Sequence, residues 1–186
     1  MSRGASTAGR LLVASPLIGD PNFDRTVVLM IEHNDDGALG VVLNRTLGAT
    51  VAEVLPAWAN LTVEPGRFHV GGPVSPDAVI ALGWRLANEP VEGFQPVVDP
   101  VGTVDLHLDP NAYDGRVERL RLFTGYSGWG PGQLDGELRA GAWWVLDALP
   151  GDALHAEPAE LWSAVLARQS GPIAWFAHYP DDSSLN

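Results

Sequence analysis

The stretch "TVVLMIEHNDDGALGVVLNR" (Thr26 to Arg45) constrains the fold more than any other part of the chain. Its first half is β-branched and continuously apolar at the centre, which suits a strand buried on both faces. "NDDG" (Asn34 to Gly37) then supplies turn chemistry, because Asp-Gly tolerates positive φ cheaply. "ALGVVLNR" (Ala38 to Arg45) returns along the first arm, so residues 26 to 45 read as a β-hairpin.

The flanking sequence offers the material. "RLLVASP" (Arg10 to Pro16), "RFHVGGPV" (Arg67 to Val74), "DAVIALGW" (Asp77 to Trp84), "VERLRLF" (Val117 to Phe123) and "AWWVLDA" (Ala142 to Ala148) read as strands, with shorter candidates at 95–98 and 102–107. Thr50 and Glu53 are spaced as a capping box for a helix carrying Val51, Val54, Leu55 and Trp58 on one face, limited to about two turns by Pro56. Pro131 precedes a helix with a Leu134/Leu138 pair. "PAELWSAVLARQSG" (Pro158 to Gly171) is a helix with Leu161, Trp162, Val165 and Leu166 on one side and Gly171 as its stop. Strands outnumber helices and alternate with them irregularly, which gives an α+β chain with a mixed, largely antiparallel sheet. The expected organisation is a flexible segment over 1–9 and one domain over 10–186.

Composition then removes chemistries. The chain has no cysteine, so thiolate metal sites, disulfides and cysteine nucleophiles are absent. All 11 basic residues are arginine, which removes lysine bases, Schiff bases and the lysine of a P-loop. A net charge of −12 repels phosphate backbones and argues against direct nucleic-acid or anionic-membrane binding. The N-terminus lacks an apolar core of signal-peptide length, and apolar runs fall far short of the roughly 20 residues a membrane span needs. A cytoplasmic protein without a membrane segment is the expectation.

The segment "GYSGWGPGQ" (Gly125 to Gln133) raises the question of a nucleophile. An elbow needs Gly-x-Ser-x-Gly, and here the second glycine falls one place early. A serine-dependent hydrolase using Ser127 therefore stands as the alternative, and a turn serine as the leading reading. Gly128, Gly130 and Gly132 would serve as a glycine-rich connection from strand to helix, or expose amides to an anion. The five histidines never fall at metal-ligand spacing, so neither a metal nor a cofactor is expected. In "GDPNFDR", Asp20, Asp24 and Arg25 share one turn, where ion pairing is the simplest role. Trp143 and Trp144 point to opposite faces of their strand, which places one of them at the surface.

The ordered blocks "GRLLVASPLIGDPNFDRTVVLMIEHNDDGALGVVLNR", "FHVGGPVSPD", "GYSGWGPGQLDGEL" with "AWW" after it, and "SLN" resemble the YqgE/AlgH family of bacterial proteins. The resemblance implies one α+β domain whose bifurcated β-sheet forms a pseudo-barrel with a few short flanking helices. It implies no established activity or cofactor, and its pattern usually carries a small residue at the position of Ser127. A "transcriptional regulator" label attached to some members fits poorly with an acidic chain that has no helix-turn-helix pattern. The expectation is a non-enzymatic protein, with an indirect regulatory role, that binds a protein or small-molecule partner. Its surface combines Asp20, Arg25, Asn44, Arg45, Gly71, Gly72, Pro73, Tyr126, Ser127, Gly128, Trp129, Gly130 and Gln133, at strand ends where loops gather binding groups.

Overall fold

The computed structural model of the chain describes residues 5–179. Its strands are β1 (Arg10–Ala14), β2 (Val27–Asn34), β3 (Gly37–Val42), β4 (Thr46–Thr50), β5 (Arg67–Val70), β6 (Val74–Arg85), β7 (Phe94–Val98), β8 (Val101–Val104), β9 (Val117–Trp129) and β10 (Trp143–Asp147). Its α-helices are short: α1 (Val51–Val54), α2 (Gln133–Arg139), α3 (Leu161–Ala167) and α4 (Pro172–Trp175). Hydrogen bonding runs β10-β1-β2-β3-β9-β6-β8-β7, with β5 joining β9 from the side and β4 joining β5. Every pairing is antiparallel except β5 with β9. The fold is α+β, as expected. The sheet forks but does not close into a barrel.

The hairpin forms as read, with Asn34 opposite Gly37. Strand alternation sends Val27 and Leu29 to one core and Val28 and Met30 to the other, all of them buried. On the first face, Leu11, Val13 and Val41 meet α3 through Leu161, Trp162, Val165 and Leu166. Each such buried side chain contributes about 1.5–3 kcal/mol, so the helix is held by this face and not by its two turns of backbone bonding. On the second face, Leu12, Ala14 and Val42 pack against Leu134 of α2, Trp129 and Trp143. A third cluster around Phe68, Tyr113, Leu120 and Leu122 covers the far end of β6 and β9.

The fork lies on β9. One edge pairs with β6 from Val117 to Tyr126. The other edge pairs first with β5, through Phe123 and Thr124, and then with β3, through Ser127 to Trp129. The segment Gly125–Trp129 is therefore strand, and the expected turn begins only after Trp129. Glycine favours turns, but here it serves close approach. A Cβ on Gly71 would stand 2.4 Å from the Gly125 carbonyl oxygen, and one on Gly72 would stand 2.2 Å from the Tyr126 carbonyl carbon. Gly125 itself, at φ +66°, sits where β6 carries extra residues between Val74 and Val79.

Three local expectations change. The Thr50–Glu53 capping box is present, but Pro56 starts a separate 3-10 segment after a single turn, and Val54 is 56% exposed while Val51 and Trp58 are buried. Gly171 does not stop α3, which is capped at Arg168; at φ +73° it opens α4. Trp143 is buried and Trp144 half-buried, so neither is the surface tryptophan; Trp175, at 78% exposure, is. Within the segment read as flexible, Ser6 Oγ donates to the His33 carbonyl at 3.0 Å and the Gly9 amide to that of Met30 at 2.8 Å.

Two buried charged groups fasten the segment 150–155. Arg121, on β9, donates from Nη1 to the His155 carbonyl at 2.9 Å. Asp152 accepts both Arg168 terminal nitrogens, at 2.6 and 2.7 Å. His69, on β5, is buried against Phe123 with Nε2 lacking a hydrogen-bond partner. Burial and the nearby Arg121 charge push its pKa down to about 4.

Two tests follow. Gly125→Ala combines a left-handed backbone with a Cβ 2.5 Å from the Gly72 carbonyl oxygen, and is expected to cost roughly 3 kcal/mol in chemical denaturation. For His69, an unfolded chain takes up a proton near pH 6.5 that the folded chain refuses until about 4. Its contribution to stability is thus complete above 6.5 and is lost as pH falls toward 4, on the order of 2 kcal/mol. Denaturation curves of His69→Gln across that window should show a shallower pH slope than the wild type, and equal slopes would reject the assignment.

Candidate functional site

A groove of about 620 Å³ opens between the loop that enters β2, the residues that leave β3, and α3. Asp24, Arg25, Asn44 and Arg45 form one wall. Ala159, Glu160, Ser163, Ala164 and Ala167 form the other, and Trp162, Ala177 and His178 complete it. Ser163, Ala164 and Ala167 are the outward face of α3, whose opposite face fills the core, and Ala159 and Glu160 belong to the 3-10 turn (Pro158–Glu160) that leads into it.

Asn44 shapes the arginine wall. Its Nδ2 donates to the Arg25 carbonyl at 2.8 Å, and its Oδ1 accepts from the Val27 amide at 2.9 Å. Arg45 donates from Nη2 to the Asp24 carbonyl at 2.8 Å. Arg25 donates to the Tyr179 carbonyl at 2.9 Å, and its guanidinium lies 4.9 Å from the centre of the Trp162 ring. Trp162 is fixed below by its own Nε1, which donates to the Ala14 carbonyl at 3.0 Å. Cations are thus aimed across a shallow opening by a buried ring and by backbone carbonyls, while Asp24 and Glu160 add carboxylates at its border.

Of the residues singled out in the sequence, the structure gathers Arg25, Asn44 and Arg45 in this groove. Gly71, Gly72, Tyr126 and Ser127 meet instead at the fork. Ser127 is fully buried, and its hydroxyl donates to the Gly71 carbonyl at 3.1 Å. That hydroxyl has no open face for a substrate. Trp129, Gly130 and Gln133 lie on the α2 side, where Glu137 Oε2 accepts from both Trp129 Nε1 at 2.9 Å and Trp143 Nε1 at 2.8 Å. Gln133 bridges the Gly130 amide and Glu137, which makes this a packing cluster with Phe23 stacked on Trp129. Asp20 accepts from the Asn22 amide in an exposed turn, and Pro73 and Gly128 are exposed. The small-residue wall of α3 and the pair Ala177–His178 went unread in the sequence. Their signal was the alternation of Ala159, Ser163, Ala164 and Ala167 with the apolar face. Among the described residues, no His, Asp or Glu group is arranged to hold a metal ion.

Comparison with known proteins places this geometry. A family model described as AlgH-like matches residues 11–174. A "UPF0301 protein" of Streptomyces avermitilis is 47% identical over 191 residues, covering 100% of this chain and 98% of its own length. One from Mycobacterium tuberculosis is 44% identical over 182 residues, covering 96% of this chain and 90% of its own. A crystal structure of a Corynebacterium diphtheriae protein superposes with a TM-score of 0.88 at 30% identity, over 96% of this chain and 95% of that one. The solution structure of the AlgH protein from Pseudomonas aeruginosa gives 0.70 at 28% identity, over 98% and 99%.

The clamp made by Asn44 is open to test. Asn44→Ala leaves the Arg25 carbonyl and the Val27 amide without those partners and is expected to cost about 2 kcal/mol, lowering the melting temperature by roughly 4–8 °C. A change below 1 °C would show that the wall does not depend on it.

Proposed function

The chain belongs to the AlgH-like family, and from that premise and the groove's geometry we propose that it is a non-enzymatic cytoplasmic protein, one working domain over 10–186, that binds a partner protein or a small ligand. The observation that carries this reading is the groove between the arginine wall and α3. It is the place where the structure assembles charged, aromatic and small side chains around an opening large enough for a peptide segment or small molecule. Its cations suit a carboxylate or another anionic group, since guanidinium binds such groups through paired N–H donors.

Burial of the Ser127 hydroxyl weighs against the hydrolase alternative. The regulator reading, through direct DNA contact, finds little support in a chain of net charge −12 whose longest described α-helices have seven residues. Among the described residues, no helix is long and apolar enough to cross a membrane. An indirect regulatory role, exerted through a bound partner, remains part of the proposal.

A photo-reactive amino acid at Ser163, inside the groove, should give a discrete adduct that Arg45→Glu reduces about tenfold, while the same group at exposed Glu118 gives none. Native mass spectrometry of the same preparations would register a retained small molecule. Equal labelling from Ser163 and Glu118, indifferent to Arg45→Glu, together with no Arg45-dependent retained mass, would sink the reading.

A further inference from the structure

The groove carries charges of both signs that are not paired with one another. Arg45 donates one terminal nitrogen to the Asp24 carbonyl, and no carboxylate among the described residues bonds its guanidinium. The exposed Asp24 side chain beside it has no hydrogen bond or ion pair among those residues. On the facing wall, Glu160 stands just before α3 without capping it, and its carboxylate is likewise unengaged among the described residues. The Ser163 hydroxyl, in α3, is in the same condition. Arg25 is committed to the Tyr179 carbonyl and the Trp162 ring, so its part is to steady the floor of the groove.

We infer that the groove binds a short zwitterionic ligand, of the size of a free peptide of two or three residues, with its carboxylate on Arg45 and its ammonium group on Glu160 and Asp24. A ligand with only a negative charge meets Arg45 but is repelled by Asp24 beside it and by Glu160 on the other wall. A ligand with only a positive charge has the reverse difficulty at Arg45. A ligand with both signs, set apart, meets attraction at each end. Two or three extended residues hold their ends about 7–10 Å apart. A groove of about 620 Å³ has room for that length. The wall of Ala159, Ser163, Ala164 and Ala167 has no long side chain to obstruct a peptide backbone, and the Ser163 hydroxyl can donate to it or accept from it. Guanidinium suits the carboxylate end because it offers paired N–H donors.

Binding of this kind is selective more than it is tight. Each charged contact lies at the surface, where an ion pair changes affinity by about fivefold at most and is screened by salt. The negative field of a chain of net charge −12 draws the ammonium end and repels the carboxylate end, so the local charge of Arg45 is what orients the ligand. The inference rests on the groove being the binding surface and adds the chemistry of its occupant.

The test is an NMR titration of the full chain with trialanine in four forms: both ends free, amino end acetylated, carboxyl end amidated, and both ends blocked. It is run below about pH 7, where the amino end of a peptide is protonated. The Ser163 amide and the Arg45 Nε signal should move with the free peptide at millimolar concentration, and blocking either end should weaken binding about fivefold. Arg45→Gln should abolish the preference for a free carboxyl end and keep the preference for a free amino end. Glu160→Gln/Asp24→Asn should do the opposite. Should a variant disturb the wall, the four peptides on the unaltered chain decide alone. Equal binding of all four forms, tighter binding of the acetylated or amidated form than of the free one, or no movement of the Ser163 signal overturns the inference. Any of these results would leave partner capture at Ser163 standing, and a groove that captures no partner protein would leave trialanine binding standing.

Discussion

The rest of the structure depends on a backbone-to-backbone crossing at the fork of β9. A strand has two edges, and β9 must share one of them between β5 and β3. The handover requires Gly71–Gly72 to lie against Gly125–Ser127 at distances no Cβ permits. The crossing is then sealed by hydrogen bonds: the Val42 amide to the Gly71 carbonyl at 2.8 Å, the Gly71 amide to Thr124 at 2.8 Å, and the Ser127 hydroxyl to Gly71. These backbone groups and the Ser127 hydroxyl satisfy one another, which is what allows a sheet to branch inside a core. The fork also sets the groove. The Val70 amide donates to the Arg45 carbonyl at 2.8 Å, so the arginine wall is anchored directly to the strand that makes the crossing.

Much of this was legible in the sequence, and the parts that were not share a cause. The hairpin was legible because its strand pattern and its turn lie within twenty consecutive residues. The Thr50–Glu53 cap was legible because both partners are three residues apart. The buried face of α3 was legible as a helical repeat. Each of these is a local signal. "GYSGW" was read as a turn because glycine density is a local turn signal too, and the competing demand comes from Gly71 and Gly72, far away in sequence. Pro56 breaking its helix was foreseen, yet the exposure of Val54 was not, since the chain's path after Pro56 decides which face is covered.

The site divides in the same way. Arg25, Asn44 and Arg45 were singled out as polar residues at strand ends, and the hairpin brings its two ends together at the groove. Gly71, Tyr126 and Ser127 were singled out on the same ground, and they lie at the fork, with the Ser127 hydroxyl bonded to the Gly71 carbonyl. Trp129 and Gln133 likewise serve the packing of α2, with Glu137 satisfying two indole N–H groups at once. The opposing wall on α3 went unread: the alternation marks its small residues as the exposed face of a helix, but only the surface placed opposite makes that face a wall.

Charge placement ties these strands together. In a chain of net charge −12, most acidic side chains sit at the surface, and the field they set up is negative over the molecule. Arginines that bond carboxylates, such as Arg168 with Asp152 and Arg10 with Asp147, are neutralised where they stand. Arg45 instead bonds the Asp24 carbonyl, a dipole with no net charge, and so keeps its full charge beside the opening. Arg121 follows the same rule in the interior, where desolvation pushes its pKa down to about 10 and still leaves it charged at neutral pH. The acidic background makes the distinction matter. At the groove a guanidinium is held in position by carbonyl bonding, beside the carboxylates of Asp24 and Glu160. The fork thus fixes where Arg45 stands, since the strand that makes the crossing also holds the Arg45 backbone.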